Sequence, residues 1–283
     1  SSESKAKPFA FKSRPVSTRP FSWKSRRRSV AIVPRAKTTR ALLPFSLAKD
    51  AALSKAPAIL EWAAESGLKL GLASSFSAED TTLIHLLNSA IQKNPSAASR
   101  LHVFYLETGR LHEETLQTME ECRKRYPDVV FQGYFPDQSK VETLIREKGL
   151  FSFYESIENR KECCFVRKVE PLNRALKDLD GWITGLRQSQ SVTRANLPAF
   201  QLDADHGGIV KLNPLTAWEE SDVYKYIEEN NIPLNALHRQ GFPSIGCAPC
   251  TRAIQEGEDI RAGRWWWENP EHKECGLHAG GSK

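Results

Sequence analysis

The sequence predicts an α/β fold built on a mostly parallel sheet flanked by helices, and two observations carry that expectation. From about residue 50, short apolar runs of strand length alternate with longer amphipathic stretches of helix length. The segments that follow several of the apolar runs are rich in Ser, Thr, Gly and Arg, the composition of ligand-binding loops at the carboxyl ends of strands in open α/β sheets. A chain of 283 residues that is 40% hydrophobic has ample material for one large packed domain.

The elements follow in order. A helix near residues 50–66 precedes the apolar run Lys69–Ser75, which suits a buried strand, and a loop and helix span Ser77–Leu87. The second strand, Leu101–Glu107, runs into Thr108-Gly109-Arg110 and then a charged helix over 112–126. Val129–Tyr134 reads as a third strand, followed by a helix over 137–148. Gly181–Gly185 makes a fourth, and the loop after it carries Arg187, Gln188, Ser189, Gln190, Ser191 and Arg194. Ile209–Leu212 is a fifth strand, the pair Asn213-Pro214 a turn, and Ser221–Asn230 a helix. Beyond residue 240 the pattern breaks into turns, Gly, Pro and charge, and a mobile carboxyl-terminal tail is expected there. There is no internal repeat.

Charge is unevenly placed. The net charge is +6 and the pI about 9.0, values that would suggest a nucleic-acid binder if they described the whole body. Residues 1–49, however, hold thirteen Lys or Arg and one acid, which leaves residues 50–283 at −6. The leader is also rich in Ser, Thr and Pro and lacks helical or strand periodicity, as in an organelle transit peptide. A basic arm touching RNA or anionic lipid is the competing reading. No stretch approaches the roughly 18 apolar residues of a membrane span, and neither a membrane nor a nucleic acid is expected as a partner.

Five of the six cysteines form one ordered pattern: Cys163-Cys164, Cys247-x-x-Cys250, and Cys275 within Lys-Glu-Cys-Gly-Leu-His. A Cys-x-x-Cys turn aims two thiolates at one centre and is shared by zinc, redox and iron–sulfur sites. Directly adjacent side chains diverge and do not readily share one tetrahedral ion. A cubane offers four iron corners, so neighbours can each take a different iron. The pattern therefore points to a [4Fe–4S] cluster on Cys163, Cys164, Cys247 and Cys250; a strained disulfide between neighbours and four unrelated buried thiols remain as alternatives. Cys122, within the 112–126 helix, reads as a structural thiol.

Two further groups carry chemistry. Ser74-Ser75-Phe76-Ser77-Ala78-Glu79-Asp80 joins a strand to a helix, where backbone N–H groups and hydroxyls can hold a phosphate; a plain helix cap at Ser77 explains it equally well. Lys161, Arg167 and Lys168 flank the first cysteine pair, and Arg252, Arg261 and Arg264 follow the second, as cations would beside an anionic cluster or substrate. Lys273 and His278 near Cys275 favour its thiolate, the nucleophilic form. Trp265-Trp266-Trp267 reads as an anchor packing on the domain face.

With Lys161-Glu-Cys-Cys-Phe-Val-Arg-Lys168, Gly246-Cys-Ala-Pro-Cys-Thr-Arg252, Gly263-Arg-Trp-Trp-Trp267 and Lys273-Glu-Cys-Gly-Leu-His278 in order, the chain closely resembles the assimilatory adenylyl-sulfate (APS) reductases of plants, algae and bacteria over residues 50–278. The double cysteine and Cys-x-x-Cys separate this type from the cluster-free phosphoadenylyl-sulfate (PAPS) reductases. The resemblance implies an adenine-nucleotide α-hydrolase-like (PP-loop-like) fold with Ser75, Phe76, Ser77, Leu106 and Thr108 along the nucleotide. It implies Gly185, Arg194, Arg261 and Arg264 at the phosphosulfate end, Lys168 between cluster and substrate, His278 beside the substrate, and Cys275 as nucleophile. Ser-Phe-Ser-Ala-Glu-Asp in place of the glycine-rich loop of ATP pyrophosphatases argues against ATP cleavage. The implied reaction yields sulfite and AMP through an S-sulfocysteine, in sulfate assimilation towards cysteine in the chloroplast stroma. Residues 279–283 would be a short tail with no thioredoxin-like domain after it: either thioredoxin or glutathione with glutaredoxin would supply electrons, or the sequence is truncated; a homo-oligomer is also expected as an option. A PAPS reductase and a zinc-bearing RNA module are the rival readings.

Overall fold

A computed structural model describes residues 55–190 and 194–269. Helix α1 (Ala56–Glu65) has Pro57 in its first turn, where a missing N–H costs nothing. It leads to β1 (Leu70–Ser74), then α2 (Ala78–Lys93), β2 (Leu101–Leu106), α3 (Glu113–Arg125), β3 (Val130–Tyr134) and α4 (Gln138–Lys148). Helix α5 (Ile157–Cys164) passes through a π turn (Phe165–Val169) into α6 (Glu170–Leu176). After it come β4 (Gly181–Ile183), β5 (Phe200–Asp203), β6 (Ile209–Leu212) and α7 (Glu220–Glu229).

The strands form one six-stranded sheet in the order β3-β2-β1-β4-β6-β5, parallel except for β5 on β6. The chain runs outward from β1 through β2 to β3 and then returns to β1's other side at β4. That reversal opens a crevice beyond the carboxyl ends of β1 and β4, where open α/β sheets bind ligands.

Side chains alternate between two cores with the strand period of two. Leu70, Leu72, Val103 and Ile183 pack with Ile59, Leu60, Leu83, Ile84 and Leu87 of α1 and α2 on one face. Phe104 and Trp182 point the other way, onto Leu172 and Leu176 of α6. Gly71 falls on that second face because a Cβ there would lie 2.8 Å from both Leu179 and Phe104.

Three expectations change. The helix after β1 extends to Lys93 rather than Leu87, because Leu86, Leu87, Ala90 and Ile91 continue its buried stripe. The antiparallel edge strand β5 and the helices around Cys163-Cys164 have no counterpart in the periodicity. Residues 241–269 are not a mobile tail: the Gly263–Glu268 strap pairs with the Cys-x-x-Cys segment through a Thr251–Arg264 bridge, and Arg252 N donates to Gly263 O. Trp265 is 1% exposed. Turn-rich sequence without periodicity is held here by long-range backbone bonds and aromatic burial, which no local pattern announces. Cys275 and His278 lie outside the described residues.

Candidate active site

The crevice holds a cavity of about 320 Å³, within the size range of small-ligand sites. Its walls include Ser75, Phe76, Ser77, Leu106, Thr108, Lys168, Gly185, Arg194, Arg261 and Arg264, so every substrate-side residue expected from sequence within the described residues converges on one space.

The β1–α2 loop is shaped by a carboxylate. Asp80, in the first turn of α2, accepts at Oδ2 from Ser75 N (2.6 Å), Ser75 Oγ (2.8 Å) and Ser77 Oγ (3.2 Å). Ser77 is the residue before the helix yet makes no side-chain cap; its hydroxyl serves Asp80 instead. Burial raises the Asp80 carboxyl to about 6, against the lowering effect of its bonds from Ser75. Phe76 adopts φ +58°, an uncommon conformation for a bulky residue; its ring is buried against Tyr105 at 5.6 Å, leaving both flanking serines on the cavity wall. Gly185 is obligatory opposite this loop, since a Cβ would sit 2.7 Å from Asp80 Oδ1.

The cationic end is held by a relay. Glu79 Oε1 accepts from Arg187 Nε (3.0 Å) and Gln190 Nε2 (2.9 Å), and Gln190 Oε1 accepts from Arg194 Nη1 (2.6 Å). Arg264 donates from Nη1 to Ile245 O (3.1 Å) and Ser244 Oγ (3.3 Å), and its guanidinium lies across Gly246, where a Cβ would come within 2.4 Å of Nη2. His238 Nε2 accepts from Ala78 N (3.2 Å) at the start of α2, and burial lowers its pKa, keeping the ring neutral.

Behind Lys168 lies a second, smaller cavity lined by Cys163, Cys164, Cys247 and Cys250 with Arg110, Arg160, Arg167, Lys168 and Trp265. None of the four is in a disulfide, which removes the pairing of neighbours. Among the described residues no three His, Cys, Asp or Glu side chains converge on a position for a single metal ion. Thr108 Oγ1 is 3.3 Å from Cys247 Sγ, and Arg167 Nη1 donates to Thr108 O at 2.6 Å. Arg167 Nε and Trp265 Nε1 are buried without a hydrogen-bond partner among the described residues, and orphaned donors of this kind call for an acceptor that the polypeptide does not supply. Burial pushes Cys250 up to about 12, with Lys168 and Arg264 opposing, and raises Cys163, with Arg167 and Arg110 opposing. Soft unbridged thiols, orphaned donors and a cationic rim fit an anionic iron–sulfur cluster. Lys168 and Trp265 line both cavities.

Residues 69–253 match the phosphoadenosine phosphosulfate reductase domain. The chain is 48% identical over 241 residues to an adenosine 5′-phosphosulfate reductase of Burkholderia cepacia, covering 85% of this chain and 92% of the relative. The chain belongs to this reductase family. An adenosine 5′-phosphosulfate reductase of Allochromatium vinosum is also 48% identical, over 73% of this chain and 77% of its own. The fold agrees with a crystal structure of a phosphoadenylyl-sulfate reductase from Candida auris in its phosphate complex, with a TM-score of 0.60 and 25% identity over 74% of this chain and 95% of that one.

Several contacts of the site escape the sequence reading. Arg160, Arg187 and Glu79 are brought together with their partners only by the fold; Glu79 lies inside the serine-rich motif but looks like an ordinary first-turn acid. His238 carries no local signal. Trp265, expected to anchor the strap, does so and also walls both cavities.

Proposed function

We propose that this reductase-family chain converts adenosine 5′-phosphosulfate to sulfite and AMP; the names of its relatives give them the reduction of that substrate. The observation that carries the reading is the shared wall: Lys168 and Trp265 border both the nucleotide-sized crevice and the four-cysteine cavity. Ser75, Phe76, Ser77, Leu106 and Thr108 take the nucleotide side, and Lys168, Gly185, Arg194, Arg261 and Arg264 take the phosphosulfate, whose negative charge guanidinium groups match in geometry and sign.

Cys163, Cys164, Cys247 and Cys250 would hold a [4Fe–4S] cluster, which when bound supplies a fixed electrostatic environment beside the sulfonate. The chemistry belongs to Cys275. Its thiolate bonds to the sulfur of the substrate as the S–O bond to AMP breaks, and AMP departs with the electron pair. A thiolate of thioredoxin, or of glutathione with glutaredoxin, then attacks Cys275 Sγ, and sulfite leaves with the S–S pair. A second donor thiol resolves the mixed disulfide, so two thiol electrons are spent. His278 would sit beside the substrate. Chain length allows the approach: ten residues separate Trp265 on the crevice wall from Cys275, a reach of up to about 33 Å. The basic leader supports delivery to the plastid stroma, which a fusion of residues 1–49 to a fluorescent protein would test.

Anaerobic protein incubated with APS should gain one sulfonate on Cys275 by intact mass and contain about four irons per chain. Cys275→Ser should bind AMP and keep its iron but gain no mass. Sulfonation in that variant, or equal or better turnover of PAPS, would overturn the assignment, as would a colourless zinc-loaded protein.

A further inference from the structure

Arg160 and Glu268 form an ion pair whose side chains are 1% and 3% exposed. It is bidentate, Nε to Oε1 at 2.8 Å and Nη2 to Oε2 at 2.7 Å, the strongest geometry a carboxylate and a guanidinium can adopt. Neither residue lines the substrate crevice, yet Arg160 lines the cysteine cavity and Glu268 is seven residues before Cys275. Burying two charges costs several kcal/mol per ion before pairing, so a surface strap of this kind would be held more cheaply by apolar groups.

The pair does not stand alone. Arg160 Cζ lies 4.6 Å from the Trp265 ring centroid and Arg264 Cζ lies 4.9 Å from it, so the indole is contacted by one cation from the cysteine helix and one from the substrate side. Trp265 N donates to Cys250 O at 3.1 Å, and Glu268 N to Trp265 O at 2.8 Å. Trp267 packs on Phe153 and Tyr154, and Tyr154 Oη donates to Pro249 O at 2.7 Å. The Trp265–Glu268 turn is thus tied by its side chain to the helix of Cys163-Cys164 and by its backbone to Cys247-x-x-Cys250.

We propose that Arg160–Glu268 is a positioning pair that roots the nucleophile-bearing segment on the cysteine centre, so that the two cysteine pairs, when drawn to a common cluster, fix where Cys275 starts its reach. From Glu268 the sulfur has at most about 23 Å of chain. With the root loosened, the same thiol searches a larger volume and meets the substrate less often, a loss of effective concentration rather than of substrate affinity. The inference rests on Cys275 being the nucleophile.

The test uses the full chain purified without oxygen. Glu268→Gln keeps the shape and removes the charge. Single-turnover sulfonation of Cys275 by saturating APS, read by intact mass, should slow at least about tenfold, with the dissociation constant for AMP unchanged. Alkylation of Cys275 by iodoacetamide in the presence of AMP should speed up, because the root at Glu268 no longer limits where the thiol can range. Should Glu268→Gln fail to fold, Arg160→Met/Glu268→Met replaces the pair with apolar volume, a change buried pairs often tolerate, and the same two readouts are expected to move. Wild-type rates of sulfonation and alkylation in a folded variant would overturn the proposal. So would weakened AMP binding in the same proportion as the rate, which would place the pair in substrate binding. Failure of the wild-type protein itself to gain a sulfonate would instead strike the nucleophile assignment.

Discussion

Asp80 shows how one side chain sets a site's response to pH. Its carboxyl is raised from 3.8 to about 6 by burial, so the folded protein binds that proton more tightly than the unfolded chain. Its contribution to stability is therefore full below pH 3.8, falls by about 3 kcal/mol as pH rises to about 6, and is level above. Urea unfolding of wild type and Asp80→Asn across that window should show the slope in the first and a flatter profile in the second. Gly246 answers a different need. A methyl 2.4 Å from Arg264 Nη2 and 2.6 Å from its Cζ must displace the guanidinium, and Gly246→Ala should weaken APS binding about tenfold or more by loss of a charged contact, measurable by competition with AMP. Cys122 lies wholly in the core, and burial takes its thiol to about 12. Its labelling by thiol reagents should follow global unfolding and remain unaffected by iron removal. The sequence reading of Cys122 as structural stands because a lone cysteine on an amphipathic helix faces the core by default; His238 was invisible because its role depends on a helix start 160 residues away.

At the scale of elements, the cysteine helix is interrupted where it matters. Pro171 cannot donate to the carbonyl of residue 167 and its ring crowds that position, and the π turn Phe165–Val169 absorbs the conflict immediately after Cys163-Cys164. Pro171→Ala should let the turn tighten to α geometry and rotate the two cysteines by roughly 100° relative to α6, with helicity kept or raised in circular dichroism and iron per chain reduced. A second joint links the first turn of α2 to the loop after β4 through Glu79 and Arg187, 15% and 6% exposed. Glu79→Ala leaves the guanidinium buried without its carboxylate and should cost roughly 3–5 kcal/mol in urea unfolding, while Arg194 loses the end of its relay. Strand periodicity announced β1, β2, β4 and β6, because central parallel strands are apolar on both faces, and it announced the edge strand β3 through its Val-Phe-Gln-Gly-Tyr run. It missed β5, an edge strand whose pairing with β6 supplies what its own pattern Phe-Gln-Leu-Asp lacks.

Over the whole molecule, charge separates into a basic leader and a body of net −6. Removal of residues 1–49 should leave the turnover of APS unchanged within about twofold, since the crevice walls among the described residues all come from Ala73 onward, and should convert a cation-exchange-binding chain into an anion-exchange-binding one. The sheet reversal between β1 and β4 does the work of assembly: it draws the Ser75–Ser77 loop, the Gly185 and Arg194 loop and the folded strap into one crevice from positions up to 190 residues apart.

By itself the sequence determined the fold class, the ordered pattern of cysteines and the clustering of cations beside them, because strand period, thiol spacing and clustered cations are local properties of the chain. The tertiary structure alone decided that the crevice and the cysteine cavity share Lys168 and Trp265 as a wall, and that Arg160 and Glu268, 108 residues apart, meet as a buried pair. Those are consequences of long-range packing, in which a residue's partner is set by the path of the backbone and by what burial leaves unsatisfied, and neither is written in the residues on either side of it.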